Sequence, residues 1–197
     1  MTADEAIWQS AQNLLRSSPN LDKLWEAFDV IECRENDPAI IIENVNEGSE
    51  DNGWVYPVWE ADYKVRQKPN GKMKDVGWIT LAIQLTCEVG VEGDWQHGKR
   101  AKVLAGYAPF KSFDDAWKFD SEEPNSAGYC EECITDEYRW LHSDEASWFF
   151  AVPLDVLTST GAVEAYIAKP MQRIVQGEDP NVVLREIREN LCLPPRP

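Results

Sequence analysis

Apolar and charged residues alternate with period two along 57–66. Trp59, Ala61, Tyr63 and Val65 fall on one side, and Glu60, Asp62, Lys64 and Arg66 on the other. Successive strand side chains point to opposite faces, so this pattern predicts a half-exposed strand. Pro69-Asn70-Gly71-Lys72 follows, and Asn-Gly readily takes the positive φ of a tight turn. The alternation then resumes, with Ile79, Leu81, Ile83, Leu85, Cys87 and Val89 against Trp78, Thr80, Gln84, Thr86 and Glu88. Residues 54–89 therefore read as a long central antiparallel hairpin. Shorter strands are expected at 39–45 and 101–108, with polar loops at 46–53 and 90–100. The apolar run 149–157 is β-rich, and its Pro153, which has no N–H, marks an edge or bulge.

Helical spacing dominates both ends. Thr2 and Glu5 form a capping box, and Ile7, Trp8, Ala11, Leu14 and Leu15 recur on one face, so 3–16 predicts an amphipathic helix. Ser17-Ser18-Pro19-Asn20 predicts a break, with Pro19 opening a second helix that carries Leu21, Leu24, Trp25 and Phe28. Ser112 is placed to cap a short helix through Phe119. Val163, Tyr166, Ile167, Met171 and Ile174 predict a later helix kinked by Pro170. Asp179-Pro180 caps a last helix that turns Val183, Leu184, Ile187 and Leu191 inward. Helices at the termini with strands between them imply a single α+β domain over 1–197. Its expected architecture is an antiparallel sheet of four to six strands with the helices packed on one face.

Composition changes this picture through charge. The 197 residues hold 35 Asp+Glu against 19 Lys+Arg, a net charge of −16. Residues 1–60 carry −10, 61–112 carry +4, 113–147 carry −9 and 148–197 carry −1. Two acidic blocks thus flank a mildly basic hairpin. This argues against direct nucleic-acid binding through a basic surface and favours a basic protein partner. The denser block holds Asp114, Asp115, Asp120, Glu122, Glu123, Glu131, Glu132, Asp136, Glu137, Asp144 and Glu145, interleaved with Tyr129, Tyr138 and Trp140. Carboxylates steer encounter and aromatics anchor contacts, so these residues, Asp144 and Glu145 apart, form the candidate partner-binding set. The bland reading of the same block is a solvated acidic face.

Three further constellations carry candidate chemistry. Cys130-Glu-Glu-Cys133 with His142 supplies three zinc-type ligands, but the second pair that a structural zinc site needs is missing. Glu60, Asp62 and Lys64 share one strand face, and Asp62-x-Lys64 resembles the restriction-endonuclease-like nuclease pattern, without its leading Pro-Asp. That resemblance implies a metal-dependent hydrolase, completed by Glu43, Asp51 or Glu26. Charged residues on an outer strand face are also what a sheet with one wet side presents. The two histidines, His97 and His142, sit in no nucleophile motif. No cofactor motif appears.

No charged n-region with an apolar core opens the chain, and the longest strongly apolar run, 148–154, is far short of the roughly 20 residues of a membrane span. Five irregularly spaced cysteines fit reduced thiols, so a cytoplasmic protein with no membrane contact is expected. A small, acidic, tryptophan-rich chain is similar in type to toxin-immunity proteins and phage-encoded inhibitors of defence nucleases. That likeness implies a non-enzymatic inhibitor that covers a cationic surface.

Overall fold

The alternating segments pair with one another in the computed structural model, which describes residues 2–33, 40–49, 57–68, 72–86, 99–113, 116–119, 134–142 and 146–194. Strand β2 (Val58–Gln67) runs antiparallel to β3 (Lys74–Gln84), with Ala61 opposite Leu81 and Tyr63 opposite Ile79. The expected turn at 69–71 lies outside the described residues. The other strands are β1 (Ile40–Ser49), β4 (Lys102–Ala108), β5 (Ile134–Thr135), β6 (Trp140–Leu141) and β7 (Trp148–Pro153). They join one antiparallel sheet in the order β1-β2-β3-β4-β7-β6-β5.

The seven strands among the described residues exceed the four to six expected. The additions are the two-residue β5 and β6, too short to show a period in sequence. Strand β1 also extends into the loop expected at 46–53. A register shift between Asn44 and Asn46 lets this polar end keep pairing with β2 as far as Ser49 opposite Trp59. Pro153 closes β7 opposite Lys102. Among the described residues β6 pairs with Trp148 and Phe149 of β7, and farther along that edge the Cys192 N–H donates to the Ala151 carbonyl (2.8 Å).

One sheet face carries the larger core. Ile42, Ala61, Tyr63, Ile79, Leu81, Val103, Phe150 and Val152 pack there against the helices. Helix α1 (Ala3–Ala27) opens with the capping box: Thr2 N–H donates to Glu5 Oε2 (2.7 Å), and Glu5 N–H to Thr2 Oγ1 (3.3 Å). The break expected at 17–20 is absent, and Pro19 lies inside one continuous helix. The carbonyl that Pro19 cannot serve belongs to Leu15, in an exposed turn, while Leu24 and Ala27 beyond it are anchored in the core. A 3-10 turn, Phe28–Ile31, completes the anchor.

Helix α2 (Thr160–Val163) runs through a π turn (Glu164–Ala168) into α3 (Lys169–Val175). The Lys169 N–H reaches back to the Glu164 carbonyl, a five-residue step directly before Pro170. The expected proline irregularity is thus a π turn that absorbs the missing donor. Helix α4 (Pro180–Glu186) is capped by Asp179, whose side chain accepts from Asn181 N–H (2.8 Å). Among the described residues no helix is long and apolar enough to cross a membrane.

The opposite sheet face is covered too. Val58, Ala82, Leu104, Phe149 and Ala151 meet Trp140, Phe119 and Cys192 there, with Trp117 packed against them. Of the helix expected from Ser112 to Phe119, Phe113 lies in a 3-10 turn and Ala116 N–H donates to its carbonyl (3.1 Å), 114 and 115 lie outside the described residues, and 116–119 is not helical. The physical cause is that Trp117 and Phe119, two residues apart, both pack onto Phe149, which an extended segment allows and a helix does not.

Candidate functional site: the acidic segment and the charged face of β2

The period-two pattern sends Glu60, Asp62 and Lys64 to the face crossed by the 116–119 strap, and each is engaged there. Asp62 is 2% exposed. Its Oδ1 accepts from Thr80 Oγ1 (2.7 Å) and its Oδ2 from Asn46 Nδ2 (3.1 Å). Thr80 Oγ1 also lies 3.2 Å from the Trp117 carbonyl, which competes with Asp62 for its single hydroxyl proton. Glu60 Oε2 accepts from Phe119 N–H (3.4 Å). Lys64 pairs with Asp75 (2.9 Å) and lies 5.5 Å from the centre of the Trp78 ring. The outer-face expectation therefore changes: this face is partly covered, Glu60 is held by the strap, and Asp62 and Lys64 are held by partners on neighbouring strands.

The residues considered as completing an acid cluster do not join them. Glu43 is ion-paired with Arg66, Glu26 lies on α1, and Asp51 falls outside the described residues. No cluster of three or more metal-ligating side chains occurs among the described residues. Cys130 and Cys133 lie outside them. His142 is half-buried, with its ring 6.3 Å from that of Trp117.

Of the candidate partner-binding set, Asp114, Asp115, Asp120, Glu122, Glu123, Tyr129, Glu131 and Glu132 lie outside the described residues. The other four divide sharply. Tyr138 and Trp140 are 1% and 2% exposed, and Trp140 stacks on Phe149 at 5.0 Å, so both rings are core rather than surface anchors. Asp136 is a turn residue. It accepts from the backbone N–H of Tyr138 and Arg139 (2.9 and 2.7 Å) and from the Arg139 guanidinium (2.9 and 2.6 Å), which itself lies over Trp148. Glu137 is exposed, and so is Ile134 of β5, at 50%. Within the described part of 113–147, Phe113 and Lys118 are exposed as well.

Charge elsewhere is handled within the chain. Arg66, Arg100, Lys169 and Arg173 are paired with Glu43, Asp155, Glu164 and the Glu178–Glu186 pair. Hydrogen bonds to Arg173 hold the Glu178 and Glu186 carboxyls below the usual carboxylate range. On the main core face, burial pushes the Tyr63 hydroxyl well above the ordinary tyrosine range. Its bond to Asn44 opposes that shift, and nearby Asp29, Glu32 and Glu47 add to it.

Spacing alone assigns the apolar stripe of α1 to a packed helix face. Ile7, Trp8, Leu14 and Leu15 are instead 53–70% exposed. The sequence signal for this is the polar Ser17-Ser18-Pro19-Asn20 stretch, after which packing begins. Comparisons of the chain with protein-family models, curated proteins and solved structures give no match.

Proposed function

We propose that this chain is an acidic cytoplasmic protein-binding inhibitor, of the immunity or antitoxin type or a phage anti-defence protein, that blocks a basic nuclease or nucleic-acid-binding partner. The observation that carries the reading is the uncompensated charge of −16, concentrated in 1–60 and 113–147. Described bases such as Lys64, Arg66, Arg100, Arg139 and Arg173 are already paired internally and are not free to offset the remaining acids. Such a field accelerates encounter with a cationic surface and repels nucleic acid. With Tyr138 and Trp140 committed to the core, Glu137 and Ile134 take over the docking role on the described part of the segment. The metal-dependent hydrolase reading gains no support, because Glu60, Asp62 and Lys64 each hold an internal partner.

The test is affinity capture of the full chain's partner at low and high salt, followed by titration with a Glu131→Lys, Glu132→Lys, Glu137→Lys variant. Asp136 is left intact because its loss unmakes a turn. A stoichiometric basic partner that high salt releases, and that the variant binds at least about tenfold more weakly, supports inhibition. A partner indifferent to the three reversals, or none at either salt, overturns it.

A further inference from the structure

The first two-thirds of α1 extends past the core. From Ala3 to Asn20 only Ala6 and Gln12 are even half-buried. Ile7, Trp8, Leu14 and Leu15 are nevertheless 70%, 62%, 53% and 68% exposed. With Ala11 they lie within about 120° of one side of the helix. The same side continues through Ser18 to Trp25, where an open groove of about 790 Å³ lies between α1 and the sheet. A helix segment of this length is marginal in water without a packed apolar face.

The spacing of the stripe indicates what covers it. Positions 7, 8, 11, 14 and 15 read the same from either end, so the stripe is symmetric about Ala11. In an antiparallel pair related by a two-fold axis at Ala11, Ile7 meets Leu15, Trp8 meets Leu14, and Ala11 meets its own copy. The small residue falls at the axis, where the backbones approach most closely. An isologous interface requires this kind of self-complementary patch. The four large side chains offer on the order of 400 Å² of apolar surface per copy. Two copies with flanking residues then reach the roughly 1,000 Å² that a specific interface needs. The partner's first turn ends beside Ser18, at the mouth of the groove.

We propose that a second copy of this chain covers the stripe, giving an antiparallel α1–α1 homodimer centred on Ala11. It is independent of the inhibitor reading and differs from it in salt response. A complex with a basic partner weakens as salt rises, whereas the dimer strengthens, because salt screens the repulsion between two copies of charge −16.

Sedimentation velocity of the full chain across a concentration series tests it. The expected result is a concentration-dependent shift from 22.5 kDa to twice that mass, favoured by added salt. A Trp8→Glu, Leu15→Glu variant is expected to remain a monomer at concentrations at least about tenfold above the parent's midpoint. Its thermal unfolding should match the parent's only at concentrations at which the parent is monomeric, and should fall below the parent's where the parent is dimeric. Register is read by mild oxidation: Ala11→Cys yields a covalent dimer that neither the parent nor Gln9→Cys, on the opposite side of the helix, produces. A parent that stays monomeric, a dimer that survives the two glutamates, or equal cross-linking at positions 9 and 11 overturns the proposal.

Discussion

Replacing Gly106 by alanine is expected to dislodge the strap over the second sheet face. Gly106 sits in β4 between Thr80 of β3 and Phe149 of β7. A Cβ built there lies 2.5 Å from Trp117 Cδ1 and 2.9 Å from Cγ. Normal contact requires the indole to retreat by about 1 Å. The ring has little room: it meets Phe149 edge-on at 5.0 Å, stacks with Phe119 at 6.0 Å, and donates Nε1–H to the Tyr107 carbonyl (3.2 Å). Overpacking of this kind costs about 1–3 kcal/mol, and losing the indole hydrogen bond adds roughly 1 kcal/mol.

The control removes the obstacle. In a Trp117→Ala background the same glycine substitution should be neutral, or stabilising by up to about 1 kcal/mol, because alanine suits a strand interior better than glycine. Urea unfolding of the four proteins, followed by circular dichroism and tryptophan emission, gives the coupling energy, expected to exceed about 1.5 kcal/mol. Equal costs of Gly106→Ala in both backgrounds would refute the close approach of Trp117 to β4.

Two further outcomes follow from buried polar groups. Asp62→Ala should destabilise the fold by about 1–3 kcal/mol through loss of the Thr80 and Asn46 hydrogen bonds, measured by urea unfolding. Divalent cations should leave the parent's melting temperature unchanged, and a rise of several degrees that Asp62→Ala abolishes would return this strand to metal chemistry. Burial pushes the Cys192 thiol up to about 11 from 9.0. The folded state holds that proton more tightly than the unfolded chain, so the contribution is complete below pH 9 and is lost as pH rises through about 11. Between pH 8 and 10.5 the parent should lose about 2 kcal/mol more than Cys192→Ala, and parallel pH profiles would contradict the burial of this thiol.

Local pattern carried much of the architecture. Period two in 57–66 and 78–85 defined two strands and their faces, because alternation is a property of the chain itself. The Thr2–Glu5 box and the Asp179 cap were legible for the same reason: each bond joins residues within three positions of one another. Contacts set by distant segments were not legible. Asp62 reads as a solvent-facing charge until the strap bearing Trp117 crosses it. Tyr138 and Trp140 read as anchors among acids until β6 docks on β7. The symmetric stripe of α1 was visible in sequence as an amphipathic face, but periodicity reports only that a face is apolar. Whether the chain's own core covers that face is decided by where the rest of the molecule stops, and here packing begins only beyond Pro19.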